Sequence, residues 1–187
     1  KMNKLRINKN KLRKLEPTKN AFLSLASSII YQQISTGAGN AIYKKFLKLF
    51  KGKPTAEKLL KLSDKKLRGA GISPQKLSYL RDLAQKFKGS SFQHSNEHWN
   101  KMSDEEIKTR LLKVKGIGPW TADMFLIFAL NRPNILPLGD LGIIKGFQKV
   151  FKLKSRPSER TMLRLARPHE GEHTTLSLYL WDSLDKQ

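Results

Sequence analysis

Cysteine is absent from all 187 residues, which excludes disulfides, thiolate-held metals, cysteine nucleophiles and cysteine-ligated iron–sulfur clusters. Long apolar runs are absent as well. No stretch approaches the ~20 residues that a membrane-spanning helix needs, and the opening KMNKLRINKNKLRKLEPTKN lacks the apolar core of a secretory leader. A protein of the cell interior without membrane association is expected. Strand-like alternation is nearly missing, with Asn134-Ile135-Leu136-Pro137-Leu138 the one short extended candidate. Acidic residues are few, 15 against 37 basic, giving a net charge of +22. A field of that sign draws polyanions, and nucleic acid is the partner class it fits best. Lysines merely solvated on helix faces would give the same figure, so charge alone does not decide.

What is present is helical. The length makes one compact domain or two small lobes sharing a core, and 39% hydrophobic residues can fill it. Residues 1–19 carry eight basic side chains and one acid, with Leu5, Leu12 and Leu15 spaced for a short helix plus an extended arm. That basic segment stands apart from a domain over residues 20–187. Apolar residues recur at helical spacing over 21–33 and again over 38–50, with Thr18 or Asn20 available to cap the first stretch. Thr55 caps a helix through Leu62, Ser63 or Asp64 one through Ala70, and Ser73 with Pro74 a longer one through Phe87. Residues 89–100 are polar and read as a loop or frayed helix. Ser103 and Glu106 form a capping box that starts a helix running to about Lys113. Helices are also expected over 120–130, 140–152, 158–167 and 174–184. The fold class is all-α.

The chemistry concentrates in LLKVKGIGPWTADMFLIFALNRPNILPLGD, Leu111 to Asp140. Gly116-Ile117-Gly118 makes a tight turn between two helices, and Pro119 starts the second at a position where its missing N–H costs nothing. Ile117 can point inward and pin the helices. The free amides at the new helix start then face out, where a phosphate can sit. Inward carbonyls of the hairpin could hold a monovalent cation and add positive charge there. A Gly-x-Gly between helices is also simply a tight turn. Asp140, after Gly139 and before an apolar helix, reads either as a helix N-cap or as a reactive carboxylate.

LLKVKGIGPWTADMFLIFAL resembles the helix–hairpin–helix of the base-excision DNA glycosylase superfamily, and PLGD resembles its Gly/Pro-rich loop with a terminal catalytic aspartate. Within that superfamily the chain is most similar to the 3-methyladenine DNA glycosylase II group, which acts on alkylated bases. SIIYQQISTGAGNAIYKKF is similar to the group's loop that enters the DNA minor groove, and LRGAGISPQKLSYLRDLA to its following helices. The likeness covers about residues 20–184.

That resemblance implies two small helical lobes around a cleft, without the N-terminal β-domain that some members carry. It implies a hairpin at 111–130 and a catalytic loop at 134–140, with Asp140 the catalytic carboxylate. Gly116, Gly118 and Thr121 would meet phosphate, and the carbonyls of Leu112, Val114 and Ile117 would hold a structural Na+ or K+, no other cofactor being required. Ile34, flanked by Gln33 and Ser35, would be the wedge that fills the gap left by a flipped nucleotide. Trp120 and Met124 would line the base pocket, although a tryptophan there also reads as core. Related enzymes that nick the strand place a Schiff-base lysine two residues after the second hairpin glycine. Trp120 occupies that position, and neither Lys115 nor Lys145 matches it. The expectation is therefore a monofunctional, monomeric glycosylase without lyase activity. Its partner would be double-stranded DNA holding alkylated bases or abasic sites, in the nucleoid of a prokaryote or the nucleus of a eukaryote.

The chain departs from the group at two places. Met124 stands where some members carry an aromatic. His169-Glu170-Gly171-Glu172-His173 replaces an aromatic-and-arginine stretch, which makes the expected pocket less aromatic and more acidic. A non-catalytic homologue that recognises abasic or distorted DNA is the competing reading. The same five residues match the HExxH spacing of zinc proteases, although Pro168 and Gly171 disfavour the continuous helix such a site requires.

Overall fold

A computed structural model of the chain describes residues 4–89, 92 and 96–185. Among them there is no strand, and the expected extended segment at 134–138 is irregular. No helix among the described residues is long and apolar enough to cross a membrane. Eleven α-helices are described: α1 (Ala21–Tyr31), α2 (Thr36–Lys48), α3 (Ala56–Lys61), α4 (Asp64–Gly69), α5 (Pro74–Lys88), α6 (Asn96–Asn100), α7 (Asp104–Leu111), α8 (Pro119–Met124), α9 (Leu141–Val150), α10 (Glu159–Ala166) and α11 (His173–Asp185).

Local hydrogen bonding sets most of these boundaries. Side-chain oxygens of Asn20, Ser35, Thr55, Ser63, Ser73, Ser103 and Ser158 each accept from an amide in the first turn of the helix that follows. Ser103 and Glu106 make both halves of the capping box. Ser35 moves the start of α2 forward to Thr36, two residues before the apolar repeat begins. Residues 120–130 do not form one regular helix. α8 gives way to a π-helical turn over Phe125–Ala129, a widening that recurs at functional sites.

The chain divides into two compact units, Pro17–Phe125 and the pair of segments Lys1–Glu16 and Leu126–Gln187. In the first unit α5 packs against α1 and α3. Arg81 on α5 donates to the carbonyls of Leu59, Leu60 and Leu62, closing the end of α3, and pairs with Asp64 at 2.6 Å. The polar composition of 89–100 hides two core residues. Phe92 and Trp99 are buried and join Phe22, Phe87 and Phe125 in one aromatic cluster. Gly89 and α6 are the regular ends of that stretch, and 90, 91 and 93–95 lie outside the described residues.

The second unit is built on α9 against α11. Gly146 permits their close approach, since a Cβ there would stand 2.8 Å from the Leu180 carbonyl oxygen. Ile143, Ile144, Phe147, Met162, Ala166, Leu176 and Leu180 form its core, with Leu5 and Ile7 packed on it. The basic N-terminal segment is therefore not set apart at residue 19. Its described part forms a single 3-10 turn at Lys9–Lys11 and, through Glu16, belongs to this unit.

Candidate nucleic-acid interface and catalytic carboxylate

The hairpin is held from inside. Leu111, Val114 and Ile117 are buried, and the Ile117 amide donates to the Val114 carbonyl at 3.1 Å. Gly116 has φ +79°, and a Cβ there would be driven into the Tyr79 ring. Its carbonyl accepts from Gln32 Nε2 at 2.8 Å, and the Lys115 amide donates to Asp82 at 2.9 Å. Gly118 is different. It starts α8 with φ −99°, and a Cβ on it would stand in open space. Among the described residues nothing demands glycine there, whereas a ligand approaching the backbone would.

Of the carbonyls expected to hold a cation, Val114's is already an acceptor for Ile117, with its second lone pair remaining. A monovalent ion would share that oxygen with the turn, which the donor set permits. Thr121 is buried, at 4% exposure.

Beside the hairpin lies a cavity of about 680 Å³, formed within the first unit. It gathers Trp120, Met124, Thr121, Gly116, Gly118 and Gln33 from the sequence-derived site. Trp120 is 50% exposed, which disposes of the core reading for this residue. Ile34 and Ser35 are not among the lining residues. Ser35 caps α2 through the Ala38 amide, and Ile34 is half-buried in the turn between α1 and α2. Gln33 holds that turn in the left-handed region at φ +55°, a strained conformation for a residue with a Cβ.

Tyr31, Gln32, Lys76 and Tyr79 also line the cavity and escaped the sequence reading. Their spacing from the hairpin gives no local sign that they meet it. Lys76 Nζ donates to the carbonyls of Ile30 at 2.7 Å and Gln32 at 2.8 Å, completing the end of α1, and burial lowers its pKa. Among the described residues no carboxylate lines the cavity, which instead offers the rings of Trp120, Tyr31 and Tyr79.

In the second unit Asp140 caps α9. Its Oδ1 accepts from the Ile143 amide at 2.8 Å and from the Trp181 indole at 2.8 Å. Gly142 makes room for this, because a Cβ would stand 2.8 Å from Trp181 Cδ1 and 2.9 Å from the carboxylate oxygen. The Trp181 ring in turn stacks on Phe128, with centroids 5.8 Å apart. The N-cap reading of Asp140 is observed, and the cap together with the indole fixes the carboxylate.

A glycine hairpin followed by an aspartate at the head of a helix occurs here in a chain that known proteins resemble. The pattern of the HhH-GPD superfamily of base excision DNA repair proteins covers residues 26–169. The chain belongs to this superfamily. Among HhH-GPD relatives, DNA-3-methyladenine glycosylase 1 of Schizosaccharomyces pombe is 30% identical over 165 residues, covering 87% of this chain and 72% of its own. The DNA-3-methyladenine glycosidase of Bacillus halodurans superposes with a TM-score of 0.85 at 29% identity, over 93% of this chain and 80% of its own. Schizosaccharomyces pombe Mag1 in complex with abasic DNA gives a TM-score of 0.78 at 27% identity, over 92% and 87%. Against YfjP of Bacillus subtilis, 30% identical over 164 residues, the chain spans 56% of that protein's length.

In this HhH-GPD chain, the contacts of segment 169–173 explain its composition. Gly171 at φ +83° interrupts any helix. His169 is 2% exposed, and its Nε2 accepts from the Leu5 amide at 3.1 Å. Burial first, and Lys4 second, lower its pKa, which keeps that nitrogen free to accept. Glu172 pairs with Lys9 at 2.7 Å and Lys4 at 3.2 Å, which lowers its pKa. His173 faces the Ala166 carbonyl at 3.3 Å. The HExxH spacing therefore has no metal geometry behind it. No cluster of three or more metal-ligating side chains occurs among the described residues.

Proposed function

We propose that this chain is a monofunctional glycosylase of the 3-methyladenine II type, which flips alkylated purines such as 3-methyladenine or 7-methylguanine out of duplex DNA and hydrolyses the N-glycosidic bond. The observation that carries this reading is the Asp140 carboxylate, locked by the Trp181 indole and the Ile143 amide.

Extruding a base costs a few kcal/mol, and Ile34 with Gln33 and Ser35 supplies the side chains to fill the gap in the stack. Breaking the bond between C1′ and the base leaves the electron pair on the base and positive charge on the sugar. Asp140 stabilises that charge and takes the proton of the water that adds to C1′. Alkylation makes the base a better leaving group and gives it positive charge. The Trp120 face suits such a cation, and the cavity with Met124 encloses it. Gly116, Gly118 and the amide of Thr121 meet the phosphate backbone. A Na+ or K+ at the Leu112, Val114 and Ile117 carbonyls would reinforce that contact. With Trp120 at the position of the Schiff-base lysine, the strand is left intact. The protein acts as a monomer, wherever the genome lies: nucleoid or nucleus.

Incubation with methylated duplex DNA under single-turnover conditions should release free 3-methyladenine or 7-methylguanine, with no strand cleavage until alkali is added. Tight abasic-site binding without base release would instead establish the non-catalytic homologue.

A further inference from the structure

Residues 4–16 are held more tightly than a charged tail requires. Leu5 and Ile7 pack on the core of the second unit. The Leu5 amide is accepted by buried His169, and Lys4 and Lys9 close on Glu172. These two partners lie immediately before α11, the helix that carries Trp181. Further along the same strap, the Arg13 guanidinium sits 4.7 Å from the centroid of the Phe128 ring. Phe128 is the ring that stacks on Trp181, at an interplanar angle of 28°. Trp181 in turn donates to Asp140 at 2.8 Å.

We propose that the N-terminal strap buttresses the catalytic carboxylate, with Arg13 a positioning residue that acts through Phe128 and Trp181. The proposal rests on the reading of Asp140 as the catalytic group. The physical argument has three parts. An indole N–H directs a carboxylate only if the ring plane is fixed, because a swing of the ring carries the hydrogen off the oxygen. Phe128 fixes that plane by stacking, yet it is itself half-buried and lies in the π-helical turn, where the backbone ladder is irregular. A guanidinium over its face adds the missing restraint through attraction to the π cloud. The clasp at His169 and Glu172 delivers Arg13 to that place. The side chains of His169 and Glu172 thereby serve to hold the strap.

The test compares wild type, Arg13→Met, Arg13→Lys and Lys14→Met in full-length protein. Each is assayed for single-turnover release of 7-methylguanine and for affinity to abasic duplex. Lys14 is exposed, neighbours Arg13 and removes the same charge without a ring contact. Arg13→Met should slow release roughly two- to fivefold, the scale of a lost cation–π contact at an exposed site. Abasic-site affinity should match that of Lys14→Met, and Arg13→Lys should recover most of the rate. Release by Arg13→Met at the wild-type rate would overturn the proposal, as would equal slowing in Lys14→Met. Failure of wild type itself to release base would remove the underlying reading of Asp140 instead.

Discussion

The Trp181 indole and the Asp140 carboxylate are hydrogen-bonded at 2.8 Å across 41 residues of sequence, and the oxygen they share is the one that caps α9. The cap gives this carboxylate its place and the indole gives it its orientation. Stability at Asp140 and the chemistry proposed for it can therefore be separated by substitution.

Asp140→Asn keeps a side chain that caps as well as aspartate, so unfolding free energy should stay within about 1 kcal/mol of wild type. Base release should fall below detection, because the amide cannot stabilise positive charge on the sugar. Trp181→Phe keeps a ring on Phe128 and loses only the N–H. A hydrogen bond to a charged group contributes about 1.5–3 kcal/mol, so release should slow by about ten- to a hundredfold. Chemical denaturation run beside the release assay checks both variants.

The two hairpin glycines should fail in opposite ways. Gly116→Ala meets a positive φ and the Tyr79 ring together, and should lose roughly 1–3 kcal/mol of stability. Gly118→Ala meets neither and should unfold like wild type, while binding abasic duplex more weakly. Urea midpoints and duplex affinity, measured on both, would contradict this assignment if the two losses were exchanged.

Stability should fall on acidification, and His169 gives the sign. Its folded pKa lies below the ordinary 6.5, so the unfolded chain takes up the proton first. Stability is complete above about pH 6.5 and is lost as pH falls through that value toward the folded pKa. Half-buried His98, lowered by desolvation and by Arg110 and Lys101, acts in the same direction. His169→Gln keeps an acceptor for the Leu5 amide without the titration. Its urea midpoint should vary less than that of wild type between about pH 7.5 and about pH 5.

Duplex affinity should drop steeply with salt, as lysine and arginine contacts to phosphate release counterions. Each contact adds about 0.9 to the slope of log affinity against log salt. A flat response would contradict a phosphate interface anywhere on this surface.

Much of the fold is readable locally. Asn20, Thr55, Ser63, Ser73 and Ser103 stand next to the helices they cap, and their hydrogen bonds reach only three residues ahead. The turn at Gly116 and the place of Asp140 before α9 are local in the same sense. The limits of such reading show at Phe92 and Trp99, buried inside a stretch whose composition is polar. They show again at 169–173, where residue types resembling a metal site serve as a clasp for the strap.

The sequence by itself determined the all-α architecture, the hairpin, the exposed start of α8 and the carboxylate at the head of α9. Each follows from hydrogen bonds and backbone preferences that span a few residues. Only the tertiary structure decided which side chains meet there. Tyr79 against Gly116, Gln32 on the hairpin carbonyl, Trp181 on Asp140 and the strap on His169 join residues tens of positions apart. Such contacts depend on how apolar helix faces pack. A tryptophan in an amphipathic last helix looks the same in sequence whether it fills a core or aims its N–H at a carboxylate.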